Sequence, residues 1–159
     1  MLWIERTLAF EALPALRKDV TAEGLAHAVD EHLEQTREHA VRLEQAFRAA
    51  GAEPSSHLSP AAEKLAQHRG HLAANIPDDR LRDVLNAAAA AATEHHELAL
   101  YDALIELASA LDLGEARDLL EQNRKEDAEA LDRMRDEAAK LVQAAVTARE
   151  TAGSTGPGA

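Results

Sequence analysis

Four stretches of this chain break an apolar pattern with carboxylates, imidazoles and amides, the side chains that ligate hard metal ions or share protons. The first is Glu5. The second crowds Glu31, His32, Glu34, Gln35 and His39 together, and His32, Gln35 and His39 succeed one another at i+3 and i+4, beside the apolar stripe of a helix. The third is Glu94-His95-His96-Glu97, between a run of alanines and a run of leucines. Glu97 lies three and seven residues before Leu100 and Leu104, which places it on the buried side, with Glu94 one turn behind. In the fourth, Asn123, Glu126, Asp127 and Glu129 separate Leu120 from Leu131. An unpaired buried charge costs several kcal/mol, so a layer of such groups must pair, protonate or bind a cation.

Taken singly, these groups have plainer explanations. An acidic pair such as Glu31/Glu34 reads as a solvated face, as does the i+3 pair His68/His71. An interhelical hydrogen bond would satisfy His32 or His39 as well as a metal would. Tyr101 reads as a core residue with a hydrogen-bonded hydroxyl. The metal reading rests on whether the four interruptions meet, and that depends on the elements that carry them.

Those elements are helical. Alanine and the straight-chain residues dominate, while aromatics make up only 3% of the chain, a composition that favours helix over strand. A first helix is predicted over 2–19, with Leu2, Ile4, Leu8, Leu13 and Leu16 inward and Pro14 kinking or splitting it. Thr21 is the candidate N-cap of a second helix running to about Ala50, whose stripe includes Val29, Leu33, Thr36, Ala40, Leu43 and Phe47. Gly51 and Pro54 end it. Ser59-Pro60 opens a short helix near 60–75. Pro77 and the aspartates after it open a third long helix, 79–111, with Leu81, Leu85, Leu100, Leu104, Leu107 and Leu111 on its buried side. After a tight joint at Asp112-Leu113-Gly114, a fourth helix covers 115 to near 148, with Leu120, Leu131, Met134, Leu141 and Val142 inside. Residues 1–150 make one domain, and 151–159, TAGSTGPGA, read as a disordered tail.

The connections set the topology. Short links join the first helix to the second and the third to the fourth, so each pair forms an antiparallel hairpin. The stretch 51–78 is too long for a turn and carries its own helix. The predicted fold is therefore all-α, a ferritin-like four-helix bundle of two hairpins joined by a long crossover. In a hairpin, residues equally far from the turn share a height, since both helices rise about 1.5 Å per residue. Glu5 then stands level with about residue 35, and Glu97 with about residue 128. Each hairpin brings its polar side chains together at one depth.

Composition narrows the function classes. The net charge of -12 would repel a phosphate backbone, so nucleic acid is not expected as a partner. There is no cysteine, hence no disulfide and no thiolate site. No apolar run approaches the ~20 residues of a membrane span, and the N-terminus MLWIERTLAF lacks the basic head and cleavage site of a signal peptide. Cytoplasm is the expected compartment. Gly-rich phosphate loops and Ser/His/Asp constellations are absent.

Three segments resemble a known family. EHLEQTREHAVRLEQAFRAAGAEP, residues 31–54, is similar to the second helix and following loop of the YciE/YciF-type ferritin-like proteins. TEHHELALYDALIELASALDLGEARDLLEQNRKEDAEAL, residues 93–131, is similar to their third and fourth helices, and EALPAL, residues 11–16, fits their first. The resemblance covers most of residues 2–135 and implies a commonly dimeric bundle, associated with bacterial stress responses, that carries an iron or manganese pair. Carried over position by position, it implies as metal ligands Glu5, His32, Gln35, Glu94, Glu97, Glu126 and Glu129. Ahead of ALP the first helix is one residue out of step, so either Glu5 or Arg6 takes the ligand position; an arginine would replace a metal with a fixed cation. Gln35 stands where the family usually has an acid, and no strict Glu-x-x-His occurs in the chain. Two readings follow. One is a ferritin-like homodimer with a carboxylate-bridged iron or manganese pair. The other is a metal-free bundle acting as a binding or structural module, its polar layer held by Arg6, the histidines and protonated carboxylates.

Overall fold

The computed structural model describes residues 1–54 and 60–154. Its elements are α1 (Leu2–Thr7), a π-helical turn (Leu8–Ala12), α2 (Leu13–Asp19), α3 (Glu23–Ala49), α4 (Pro60–Ala74), α5 (Asp79–Ala110) and α6 (Gly114–Ser154). There is no strand among the described residues, and none of their helices is long and apolar enough to cross a membrane. The segment α1–π turn–α2 acts as one bent helix antiparallel to α3, and α5 is antiparallel to α6. Helix α3 packs on α6 rather than on α5, its successor among the long helices. This is the expected ferritin-like arrangement of two hairpins with a crossover.

The bend in the first helix has a local cause. Pro14 supplies no N–H and its ring crowds the carbonyl four residues earlier. The chain widens just upstream, and the Leu13 N–H bonds the carbonyl of Leu8, five residues back. A π turn inserts one residue into a helix. The inward stripe accordingly runs Glu5, Leu8, Leu13, Leu16, Val20, with a step of five at the turn.

The helix ends follow from ordinary capping. Helix α3 closes with Gly51 at φ +67, while the N–H groups of Gly51 and Ala52 bond the carbonyls of Arg48 and Phe47, a Schellman end. Asp112 fills the same left-handed role at the α5–α6 joint (φ 55). Asp78 caps α5, its side chain accepting from the N–H groups of Arg80 and Leu81. Thr21 does not cap α3, contrary to expectation. Its hydroxyl and N–H, with the N–H of Ala22, bond the buried carboxylate of Asp83 on α5, which ties the first hairpin's turn to the second hairpin. The expected cap Ser59 lies outside the described residues, as does the side chain of His68. Helix α6 continues to Ser154, into the stretch read as a tail; residues 155–159 lie outside the description.

Two apolar clusters flank a polar layer. One, near the α2–α3 turn, contains Leu8, Leu13, Leu25, Val29, Ala87 and Met134. The other, near the α5–α6 joint, contains Leu2, Leu43, Ala108 and Leu120. The buried side of α5 corrects the leucine pattern. Leu81, Leu107 and Leu111 are 53%, 55% and 58% exposed, and the inward stripe is Asp83, Asn86, Ala90, Glu94, Glu97, Tyr101 and Ala108. Alanines let the neighbouring helices approach; Leu107 falls one residue off that stripe, while Leu81 and Leu111 stand at the two ends of α5, outside the buried stretch. Val142 on α6 is likewise exposed.

Candidate metal centre

Between the two apolar clusters, every long element contributes a buried ionisable side chain. Helix α1 supplies Glu5; α3 supplies His32 and His39; α5 supplies Glu94 and Glu97; α6 supplies Asp127. All six are at most 1% exposed. Each position follows from helical spacing. His32, Thr36 and His39 continue the stripe of Val29 and Leu43, and Asn123 and Asp127 continue that of Leu120, Ala130 and Met134.

The six fall into two groups. In the first, the Nδ1 atom of His39 lies 3.6 Å from Glu5 Oε1 and 3.3 Å from Asp127 Oδ1. In the second, His32 Nε2 lies 2.9 Å from Glu94 Oε1, with Glu97 completing the set. Within each group one potential ligand atom per residue lies within 4.8 Å of the others. Glu5 links the groups electrostatically, since its charge acts on His32, on Glu97 and on Asp127.

The first group has an outer ring of support. His39 Nε2 faces Glu126 Oε2 at 3.0 Å, and Arg42 donates to the same oxygen and to Asn123 Oδ1. Asn123 donates to the hydroxyl of Tyr101 and to the carbonyl of His39, and Tyr101 donates to Glu5 Oε1 at 2.5 Å. With a proton on Nε2 held by Glu126, the Nδ1 lone pair of His39 is turned toward Glu5 and Asp127. A carboxylate behind an imidazole fixes tautomer and orientation in this way at many metal sites.

The acids respond to their confinement. Burial, then the charges of Glu5, Glu94 and Glu126, push Asp127 up to about 10. Burial and the charges of Glu5, Glu94 and Asp127 hold Glu97 well above the ordinary carboxylate range. Burial opposes a charged His32, but the charge and hydrogen bond of Glu94 outweigh it and raise the imidazole. Glu126 behaves oppositely: burial works against its charge, but hydrogen bonds from Arg42 and Gln122 hold it below the usual value. Burial, then the charge of Glu5, raises the Tyr101 phenol, which therefore stays a donor.

Hydrogen bonding leaves much of this layer unsatisfied. Both oxygens of Glu97, both of Asp127, Glu5 Oε2, Glu94 Oε2 and Nδ1 of His32 and of His39 are buried without a hydrogen-bond partner. Buried polar atoms are nearly always hydrogen-bonded, so a concentration of exceptions signals a ligand-binding or strained site. The donor set is carboxylate oxygen and imidazole nitrogen, the combination that iron and manganese accept.

Comparison with known proteins places this arrangement. A family model described as a domain of unknown function, DUF892, matches residues 1–147. The chain belongs to this family. The stress protein YciF of E. coli has a similar structure, with a TM-score of 0.85 and 26% identity over 89% of this chain and 89% of that one. YcfI of Rhodopseudomonas palustris, for which a structural role has been suggested, has a TM-score of 0.81 and 30% identity over 84% of this chain and 85% of that one. No curated protein matches the chain. The resemblance to the YciF type read from sequence is thus the family of the chain.

In this YciF-type bundle, His32, Glu94 and Glu97 of the expected ligand residues come together in one group, and Glu5 stands in the other. The π turn resolves the one-residue offset in favour of Glu5, and Arg6 points outward to Glu44 at 2.6 Å. Glu126 stands at the edge, behind His39. Gln35 lies outside the cluster, where it accepts from Arg133. Glu129 is exposed beside Lys125. His39 and Asp127 enter the cluster instead, because the inward stripes of α3 and α6 pass through 39 and 127 and not through 35, 126 and 129. His71 is exposed.

Proposed function

We propose that the polar layer of this YciF-type protein holds a pair of iron or manganese ions. Glu5, His39 and Asp127 would hold one ion, and His32, Glu94 and Glu97 the other. The observation that carries the proposal is the set of partnerless carboxylate oxygens on Glu97 and Asp127. Protonating Glu97 leaves its hydroxyl and remaining acceptor still unmatched, and protonating Asp127 offers its hydroxyl only His39 Nδ1 at 3.3 Å, whereas a cation engages the oxygens of both directly. When bound, such a pair supplies one-electron redox chemistry toward oxygen or peroxide. The protein's own contribution is positional. Glu126 orients His39, Arg42 steadies Glu126, Tyr101 holds Glu5, and the two apolar clusters exclude water. The proposal includes a two-fold homodimer, supported by the exposed Leu107 and Leu111 one turn apart on α5, and a cytoplasmic site of action.

Metal analysis of protein purified without a His tag, with melting in added Mn(II) or Fe(II), tests the reading. A ligand specific for the folded state at a hundredfold excess over Kd stabilises by about 2.7 kcal/mol, a rise of roughly 5–10 °C for a domain of this size. Glu97→Ala and Asp127→Ala should each lose most of that rise. Protein free of metal, with no shift on addition, would overturn the proposal.

The chain of hydrogen bonds from Asn123 to Tyr101 to Glu5, complete without a metal, favours a second reading: a metal-free structural module. There Glu94→Gln destabilises by leaving the His32 imidazole without its counter-charge, and added metal changes nothing.

A further inference from the structure

A cavity of about 130 Å³ lies where the π turn, α4 and α5 meet. Its wall is almost wholly apolar. Leu8 and Ala12 of the π turn, Leu13 and Leu16 of α2, Leu72 of α4, and Ala89 and Ala90 of α5 contribute to it. The remaining polar lining is largely committed elsewhere. The Thr93 hydroxyl donates to the carbonyl of Ala89, and Arg69 is pinned between Asp19 and Asn86 at 3.0 and 3.1 Å. The half-buried imidazole of His96 also borders the cavity; Glu94 differs from all of these. It lines the cavity, its Oε1 atom pairs with His32, and its buried Oε2 has no partner. The cavity and the ionisable cluster therefore share one wall, and that wall is a carboxylate.

From this geometry we infer that the cavity binds one small, uncharged, apolar molecule, about the size of an aromatic ring, against Glu94. Well-packed interiors leave few voids larger than a water. An apolar cavity of about 150 Å³ in another protein stays dry and takes up benzene or xenon, so the volume here suits a ligand of that size. The wall explains the ligand's character: a polar molecule would lose its hydration and find few free donors. The alanines of α5 and the widened turn keep the space open, since a leucine at 89 would project into it. A role for the bound molecule as a substrate of the centre rests on the metal reading; its binding does not.

Benzene titrated into the full chain, followed by methyl NMR of Ile4, Leu8, Leu13 and Leu72, tests the inference. Saturable shifts confined to these methyls are expected in the wild type. They should be abolished in Ala89→Leu and in Ala12→Leu, two independent ways of filling the space, and kept in Ala103→Leu, an exposed α5 position outside the lining. Absence of saturable shifts in the wild type, or their persistence in both filled variants, overturns the inference. Metal content is measured on the same samples. Benzene binding to protein that takes up no metal upholds the cavity site and ends the metal proposal; metal uptake without benzene binding ends this inference alone.

Discussion

The two halves of the polar layer each set one imidazole against two carboxylates and differ in what stands behind them. Around His39, an outer ring of Glu126, Arg42, Asn123 and Tyr101 reaches from the buried carboxylates toward the surface. Around His32 that ring is missing. The Nδ1 atom of His32 has no hydrogen-bond partner, Glu97 has none on either oxygen, and beyond Glu94 lies an apolar cavity. One half is oriented by hydrogen bonds, and the other is bounded mainly by hydrocarbon. Similar ligand sets can therefore differ in preorganisation, and the His39 half should be the tighter and more rigid of the two.

The largest expected effect is a pH dependence of the metal-free protein. Asp127 and Glu97 both have raised folded-state values. Between the unfolded carboxylate range and those values the folded state holds protons the unfolded state has lost, so stability falls as pH rises. His32, also raised, has the same sign: its contribution is complete below its unfolded value and is lost as pH rises through its folded one. Glu126, lowered, opposes them only on the acid side. Each such proton is worth about 1.4 kcal/mol per pH unit, roughly 3–5 °C per unit here. Calorimetry from about pH 5 to about pH 9 should show the melting temperature falling throughout. Asp127→Asn and Glu97→Gln should each remove about one proton's slope, and a flat wild-type profile would contradict the described environment.

Tyr101→Phe comes next. It removes the donor to Glu5 and the acceptor of Asn123 in the supported half, and urea titration should register a loss of about 1–3 kcal/mol. The counterpart in the bare half, Thr36→Val, deletes a bond within α3 to the carbonyl of His32 and a long 3.4 Å contact with that residue's Nε2, for a loss of about 0.5–1 kcal/mol. Equal losses would erase the asymmetry.

Glu126→Gln sharpens the comparison from the metal side. Outer-shell partners typically contribute 10–100-fold to metal affinity, so Mn(II) calorimetry should show one of two sites weakened by about that factor. Weakening of both sites, or of neither, would mean that His39 is not oriented from behind. The smallest effect belongs to Arg6→Ala. Its ion pair with Glu44 is largely exposed (side chains 45% and 31%), where solvent screening leaves such pairs about 0–1 kcal/mol. Melting should shift little and metal uptake not at all, in contrast to a guanidinium inside the layer.

The depth of the site was legible before the structure. Equal counting from each turn put Glu5 near residue 35 and Glu97 near residue 128; Glu5 sits beside His39 on the facing helix, and Glu97 is near enough to Asp127 to feel its charge. The faces were harder to read. Leucines suggested the buried side of α5, yet alanine, tyrosine and glutamate fill it, because the helices approach too closely there for a leucine stripe. On α6 the step from Leu120 to Asn123 to Asp127 to Met134 picks out Asp127. Following the polar residues by the same 3-4 rule as the apolar ones would have found it; that rule did bring out His39, which the family's positions then left aside. The Thr21–Asp83 anchor had no local signal, since its partners are far apart in sequence.

The π turn carries a consequence for how such chains are aligned and altered. Phe10, at its middle, is 70% exposed and belongs to neither the cluster nor the cavity lining. Even so, the extra residue the turn absorbs sets the phase of everything upstream. Counted back from Leu13 along an unbroken α-helix, the place now held by Glu5 falls to Arg6, about 100° around the axis. If the turn closed to ordinary α geometry with no residue removed, the buried layer would exchange a carboxylate for a guanidinium. That is a charge reversal without a substitution, executed from a solvent-facing bend.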